Sequence, residues 1–361
     1  MIKVLQIVNA NFGYDGISMV AKSYYRYIDK RIFKVDFLVI NHGDLNFENE
    51  VKSNGDSFFC LEMRNKNPLK YMHELGRILQ KGSYDIVHVH GNSATMFFDL
   101  FPAKLKNIRC RIAHSHNTKC DHTGIHKIIY PLFKRTYTCG FACSRDAGEF
   151  LFQDKDFFVM NNGIDCKRYR YNEIVRNKIR KEYNLSDKVV IGNIGRLTYQ
   201  KNQEFLLSIL GNLPDKYMLM LVGDGVNRSY LENMCNTLNL ADRVLFLGNI
   251  DNVNEILQAM DLFAFPSRYE GLGIAAIEAQ ASNLPCILSS AVPSEVGIIS
   301  TTQYLPINDQ DLWVDTIKKY KVNIDNRELY ADNACDLVVK AGYDIAQSVS
   351  KLSEIYKNLV G

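Results

Sequence analysis

Short apolar runs alternate with helix-patterned segments along this chain, in two successive series, and that alternation constrains the fold more than any other feature. Val4–Asn9, Phe33–Ile40, Ile86–His90, Arg111–His116 and Gly140–Cys143 read as strands in the first half. Val189–Ile194, Met218–Val222, Val244–Leu247, Leu262–Phe265 and Cys286–Ser289 read as strands in the second. Several are apolar almost end to end, as parallel strands covered on both faces must be. Ser18–Ile28, Leu69–Gln80, Asn202–Leu210 and Asn254–Met260 carry helical patterns between them. Parallel neighbours need a crossover, and a helix supplies it. The expected architecture is therefore α/β, with a doubly wound sheet in each half.

A length of 361 residues suits two domains. Asn161-Asn162-Gly163 is turn chemistry and precedes a charged segment. The boundary is placed there, giving one domain over 1–163 and a second over 164–344. The last segment, about 345–361, reads as an amphipathic helix, with Ile345, Val349, Leu352, Ile355 and Leu359 at spacings of three and four. Its pattern is equally compatible with packing on either domain.

A formal charge of +3 gives no basis for nucleic-acid binding. The opening Met1–Val8 turns polar too quickly for a signal peptide, and no apolar run reaches the about 18 residues of a membrane span. Nine cysteines without a Cys-x-x-Cys spacing read as reduced thiols of a cytoplasmic protein.

The chemistry concentrates in Phe265-Pro266-Ser267-Arg268-Tyr269-Glu270-Gly271-Leu272-Gly273, which leads to Glu278 eight residues beyond Glu270. Glu270 is expected to end a strand and open a glycine turn, with Glu278 about two helical turns further on. A helix starting at a glycine turn presents free N–H groups and a positive dipole end, a site suited to diphosphate. Carboxylates nearby accept hydrogen bonds from hydroxyls, so the combination suggests a sugar nucleotide. Upstream, Val189–Ile194 runs into Gly195-Arg196-Leu197-Thr198-Tyr199-Gln200-Lys201-Asn202. Arg196 offers a planar fork of donors and Lys201 a mobile charge, at a carboxyl strand end where α/β sheets bind ligands. Two surface cations on a solvated loop would look the same in isolation. Gly223 and Gly248 close further strand–glycine turns, suited to close backbone approach to a base or to turning alone.

In the first half, Asp15-Gly16 precedes a helix starting near Ile17 or Ser18, and Gly16 is a candidate for bringing helix N–H groups to a phosphate. His114 and His116 share a strand face if the strand runs that far, and His88 and His90 repeat the geometry. Cys120, His122 and His126 lie close by, but the spacing fits no common structural zinc pattern, and the expectation is no metal. Histidines lining an interdomain cleft are the preferred reading, placed to bond a sugar hydroxyl or move a proton. The triplets Asp154-Lys155-Asp156 and Asp309-Gln310-Asp311 read as exposed turns rather than metal ligands. Between Lys104 and Arg135 eight cations face one acid, Asp121, with Ile128, Ile129, Tyr130, Leu132 and Phe133 interleaved. That suits an anionic membrane surface or a lipid diphosphate, or else a half-buried helix with a solvated basic face.

Together these motifs resemble the retaining glycosyltransferases of family 4, with the GT-B fold. Gly-Arg-Leu with a following Lys-Asn, Val-Gly-Asp-Gly, Phe-Pro-Ser-x-x-Glu-Gly and the Glu270/Glu278 spacing carry the resemblance. The His-Ser-His-Asn-Thr run, Ala142-Cys143-Ser144 and Ile277–Cys286 look most like the branch that builds bacterial exopolysaccharide and capsule. The resemblance implies two Rossmann-like domains facing across a cleft, with the C-terminal helix returning to the first, acceptor-side domain and the donor held by the second. It implies that Arg196 and Lys201 grip the diphosphate and Glu278 the ribose. Glu270 would contact the transferred sugar, helped by backbone N–H groups at Leu272 and Gly273. Asn249 and Ile250 match the region that holds the base, Gly16 closes on the phosphate, and His116 aligns with the active-site histidine, with His114 as fallback. The chain departs from the family at Asp15-Gly16, where a Gly-Gly pair followed by Glu is usual, and at Asn283, which replaces a glycine and tolerates left-handed backbone.

The implied reaction is metal-independent transfer, with retention, from a nucleotide diphosphate sugar of the UDP type to a polyprenyl-diphosphate-linked glycan. The sugar nucleotide is a co-substrate and no resident cofactor is expected. A cytoplasmic protein, peripheral at the inner membrane face, would fit that acceptor. A sugar-nucleotide epimerase or hydrolase of the same fold, and a non-catalytic glycan-assembly partner, are the competing readings.

Overall fold

The computed structural model describes residues 1–40, 44–62, 64–120, 123–320 and 324–361. Contacts divide the chain into two compact units, Met1–Gly163 with Ile345–Gly361, and Ile164–Asp344. Each unit is an α/β layer structure built on one parallel sheet.

The first unit is built on β1 (Ile2–Asn11), β2 (Phe33–Ile40), β3 (Phe58–Leu61), β4 (Ile86–Gly91), β5 (Cys110–Ser115), β6 (Cys139–Ala142) and β7 (Phe158–Val159). The strands are parallel and ordered β3-β2-β1-β4-β5-β6-β7. The order reverses between β1 and β4, which creates a crevice at the carboxyl ends of those strands. The helix Gly16–Tyr27 follows β1. The C-terminal helix Ile345–Val360 belongs to this unit and buries Leu352 and Tyr356 in it.

The second unit contains β8 (Val189–Ile194), β9 (Tyr217–Val222), β10 (Val244–Gly248), β11 (Leu262–Phe265), β12 (Cys286–Ser289) and β13 (Thr302–Leu305). These are parallel in the order β10-β9-β8-β11-β12-β13, so the reversal falls between β8 and β11. Its core packs Leu206, Leu210, Leu219, Leu221 and Ala264 with fully buried Trp313, whose indole N–H donates to the Pro306 carbonyl at 2.9 Å. A buried indole needs such a partner. Among the described residues, no helix is long and apolar enough to cross a membrane.

Glu270 does not end a strand. β11 stops at Phe265, and Glu270 lies in the loop that leads to the helix Ile274–Ala281. Glu278 is thus one turn into that helix rather than two turns beyond the glutamate before it. Pro266, which has no N–H for a ladder, follows the last strand residue directly.

Candidate active site

Loops leaving β8 and β11 meet at the reversal point of the second sheet and are laced together by backbone. Arg268 N–H donates to the Gln200 carbonyl at 2.8 Å, the Gln200 amide to the Tyr269 carbonyl at 3.0 Å, and the Asn202 amide to the Pro266 carbonyl at 3.1 Å. The neighbouring loop after β9 joins them so tightly that only glycine fits. A Cβ on Gly223, at φ +122°, would lie 2.3 Å from the Gly195 carbonyl oxygen.

Lys201 and Glu270 come together directly, Nζ to Oε1 at 2.7 Å, with the ammonium 4.7 Å from the Phe265 ring centre. The Glu270 side chain is only 6% exposed, and the ammonium compensates a buried carboxylate. Arg196 is exposed, and no hydrogen bond or ion pair holds its guanidinium among the described residues. Its backbone is fixed instead, by the Gln203 amide donating to its carbonyl at 3.1 Å. Beside the Lys201–Glu270 pair is the start of the Ile274–Ala281 helix, where a Cβ on Gly273 would lie 3.8 Å from Glu270 Cγ. Gly273 occupies the N-cap at φ +95°, no side chain caps the turn, and the first turn carries no acidic residue. Its orphan N–H groups and dipole are therefore open to an anion. Leu272 and Gly273 are buried at this turn.

One turn along, Glu278 is half-buried and accepts a hydrogen bond from the Tyr169 hydroxyl at 2.7 Å. Burial pushes its carboxyl up to about 7, against the opposing effects of Tyr169 and Arg168. Tyr169 ends the short helix Cys166–Tyr169, and its carbonyl accepts from Ser282 Oγ at 2.7 Å, so the glutamate and its partner are held from both sides. Nothing local in the sequence announces Tyr169 as a partner of Glu278, 109 residues away. Asn249 is exposed and Ile250 half-buried, both just past β10. Asn283 adopts φ +50°, the left-handed backbone expected of the residue that replaces glycine there.

In the first unit, Gly16 opens its helix in open space, where a Cβ would meet nothing within 4 Å. The helix N-terminus is occupied, however. The Asp15 carboxylate accepts from the Ile17 and Ser18 N–H groups at 3.0 and 3.2 Å, and from the Ser18 hydroxyl. An Asp immediately before a helix is a readable cap signal.

The histidines do not all line a surface. His88, His90 and His114 have no exposed area, and only His116 is half-buried. β4 and β5 place them on one sheet face, His90 opposite His114, and the C-terminal helix covers them with Tyr356. His114 therefore cannot stand in for His116 at a surface. The rings stack at 4.0 to 5.2 Å between centroids in two bonded pairs. His88 Nδ1 meets Tyr356 Oη at 2.6 Å and its Nε2 meets His114 Nδ1 at 3.0 Å. His90 Nε2 meets Gln6 Oε1 at 3.2 Å and its Nδ1 meets His116 Nε2 at 2.9 Å. Burial lowers all four, His90 to about 3. Four neutral imidazoles at pH 7 follow. One nitrogen from each of His88, His90 and His114 lies within 4.8 Å of the others. His126 is engaged separately, its Nδ1 accepting from Ala94 N–H at 3.2 Å, and His122 lies outside the described residues.

The two Asp-x-Asp triplets are exposed, and Asp309 caps the helix Gln310–Lys319 by accepting from Leu312 N–H at 2.9 Å. The basic segment is not one face. Arg111 sits in β5 and donates to the carbonyls of Thr136 and Ile108, while Lys104 and Lys106 are tied to the Arg135 carbonyl and Gln80. The helix Thr123–Phe133 buries His126 and Phe133 and exposes Ile125, Ile128 and Leu132 beside Lys127; Asp121 lies outside the described residues.

With this geometry in place, likeness to known proteins is decisive. Residues 175–336 match the model of Glycosyl transferases group 1, and residues 14–168 match Glycosyltransferase Family 4. EpsF of Bacillus subtilis (strain 168), named as a glycosyltransferase, is 30% identical over 94% of this chain and 93% of its own length. The chain is a family 4 glycosyltransferase. This transferase is also 24% identical to an Escherichia coli UDP-Gal:alpha-D-GlcNAc-diphosphoundecaprenol alpha-1,3-galactosyltransferase, over 96% of this chain and 94% of the other. In fold it is similar to Anabaena Alr3699/HepE, solved with UDP-glucose, at a TM-score of 0.81 and 19% identity over 99% of this chain and 100% of that one. Glycosyl transfer from a nucleotide sugar is thus the activity class of this transferase, and a hexosyltransferase is what its relatives describe.

Proposed function

We propose that the protein moves a hexose from a UDP-sugar to a polyprenyl-diphosphate-linked glycan, with retention and without a metal, in bacterial exopolysaccharide or capsule synthesis. The carrying observation is the uncapped Gly273 turn beside the Lys201–Glu270 pair, with the exposed Arg196 on the same loop as Lys201. A departing diphosphate gains negative charge, and preorganised donors aimed at that charge lower the barrier. In this reading Arg196, Lys201 and the N–H groups that open the Ile274–Ala281 helix take the diphosphate, and the N–H groups of Leu272 and Gly273 help Glu270 at the sugar. Glu278 takes the ribose and Asn249 and Ile250 the base, while Glu270 contacts the sugar. The first unit serves the acceptor, with Gly16 approaching the phosphate and His116 the sugar. The UDP-glucose complex of the similar Anabaena protein and the diphosphoundecaprenol-linked acceptor in the Escherichia coli relative's name support the donor and acceptor classes.

Retention is favoured because neither glutamate is free to act as a base. Glu270 is paired with Lys201, Glu278 is assigned to the ribose rather than the acceptor, and half-buried His116 is a weak base. The leaving phosphate then takes the acceptor proton itself. Two cations assigned to the diphosphate, and Asp-x-Asp triplets that are exposed, with Asp309 engaged in capping its own helix, support a reaction without metal or resident cofactor. The protein would act in the cytoplasm at the inner membrane face, resting on the Ile125, Ile128 and Leu132 ridge with Lys127, Lys134 and Arg135 meeting anionic lipid.

Labelled UDP-sugars incubated with and without a polyprenyl-diphosphate glycan test the reading. Acceptor-dependent transfer, an unchanged anomeric configuration by NMR and undiminished turnover in EDTA are expected. Rapid donor conversion without acceptor would favour an epimerase or hydrolase. Arg196→Ala and Glu278→Ala proteins that still support polysaccharide synthesis in cells would favour a silent partner. Neutralising Lys127, Lys134 and Arg135 should reduce sedimentation with anionic vesicles; unchanged sedimentation retires the membrane contact.

A further inference from the structure

The paired histidines are anchored differently, and the anchors dictate direction. Gln6 lies on β1 in register with His88, on the sheet face that carries His90 and His116. With its amide oxygen turned to His90, as the structure places it, Gln6 accepts a hydrogen bond and His90 carries its proton on Nε2. A neutral imidazole has one N–H and one lone pair, which leaves His90 Nδ1 as an acceptor. Among the described residues the hydrogen-bond partner of that lone pair is His116 Nε2, at 2.9 Å, which therefore donates. His116 Nδ1 then carries a lone pair, and it is a buried nitrogen without a partner. The other pair ends in Tyr356, whose hydroxyl can donate or accept, so it imposes no direction on His88 and His114.

We infer that Gln6, acting through His90, is a positioning residue that holds His116 in the Nε2–H form and presents its Nδ1 lone pair to a hydroxyl of the transferred sugar. The inference rests on the proposed placement of His116 beside the donor sugar. It assigns His116 as a hydrogen-bond acceptor throughout the reaction, not as the acid that protonates the leaving phosphate. The alternative use of the cluster, a transition metal shared by His88, His90 and His114, would break the 3.0 Å bond between His88 and His114 and require stacked rings to turn their lone pairs to one point.

Long-range proton–nitrogen NMR on the full, ligand-free protein with labelled histidine reads each ring nitrogen directly. His116 should show a protonated Nε2 and a bare Nδ1. Gln6→Met, which removes the acceptor, should scramble that pattern, Gln6→Glu should keep it, and Tyr356→Phe should leave His116 unchanged. In transfer assays Gln6→Met should lower kcat by about tenfold with the donor KM within about twofold, and Gln6→Glu should recover most of the loss. A wild-type His116 protonated on Nδ1, an unchanged kcat in Gln6→Met, or a tetrahedral visible band on adding Co²⁺ would each overturn the inference. The NMR result decides the tautomer even if no donor and acceptor pair supports transfer, so failure of the transferase reading would be recognised separately.

Discussion

Two helices in this molecule begin at a glycine after a parallel strand at the reversal point of their sheet, and they treat their N-termini in opposite ways. The helix Ile274–Ala281 starts behind Gly273 with no side-chain cap, beside the Lys201–Glu270 pair. The helix Gly16–Tyr27 starts behind Asp15, whose carboxylate already accepts from Ile17 and Ser18. One positive dipole end is left for an anion from outside, while the other is filled by an anion of the protein itself. A glycine turn at the right strand end is therefore not sufficient for phosphate binding. The residue in front of it decides whether the N–H groups are vacant.

The largest test of that contrast is catalytic. Arg196→Ala should lower kcat by about 10²–10³-fold, whereas Gly16→Ala, which meets only open space, should cost under about tenfold. Steady-state kinetics on both proteins would reverse the comparison if Gly16→Ala proved the more damaging. Stability should diverge next. At Gly273, φ is +95° and a Cβ would stand 3.1 Å from the Phe265 ring, so Gly273→Ala should cost about 1–3 kcal/mol in denaturant unfolding. Gly16→Ala should instead stabilise by up to about 1 kcal/mol, since alanine favours the first helical turn.

A pH series sharpens the donor end. Burial raises Glu278 from its ordinary range to about 7, so the folded protein holds that proton where the unfolded chain has lost it. Its contribution to stability is complete below about pH 4.5 and is lost as pH rises through about 7. Nucleotide affinity should move the other way, because a ribose hydroxyl bonds best to the carboxylate. Calorimetry from pH 6 to 8 should find UDP binding strengthened by up to about tenfold, and Glu278→Gln should flatten the curve. A flat wild-type curve would remove Glu278 from the ribose. The smallest effect is at the capped helix. Asp15→Asn keeps a capping oxygen and removes the charge, so stability should change by under about 1 kcal/mol. A drop in donor KM would reveal phosphate at that N-terminus; an unchanged KM would confirm that the protein's own carboxylate holds it.

The parallel sheets were legible because their buried strands are apolar along most of their length. Phe33–Ile40, Val189–Ile194, Leu262–Phe265 and Cys286–Ser289 have the bounds the pattern predicts. The edge strands β3, β7 and β13 were not seen. They are short and partly exposed, so they carry no such run. Arg196, Lys201 and Glu270 were readable because loops after adjacent strands must meet. Their pairing, Lys201 to Glu270 rather than Arg196 to Glu270, was not, since it depends on backbone bonds between the two loops. The histidine alternation was visible, yet its burial was not, because the covering Tyr356 lies 268 residues from His88.

That last contact also bears on how a ribosome delivers the protein. The second unit is one continuous stretch, Ile164–Asp344, enclosed in the sequence by the two parts of the first. Ile164 and Asp344 pair as neighbouring parallel residues, so the chain enters and leaves the second unit side by side. The opening 163 residues emerge from the ribosome with the slot for Leu352 and Tyr356 unfilled, and they must wait for an entire domain before the closing helix arrives. During that interval His88 lacks its anchor and apolar surface stands bare. The unit synthesised first is thus the one completed last, and nascent-chain protease protection should appear in Ile164–Asp344 before it appears in the amino-terminal half.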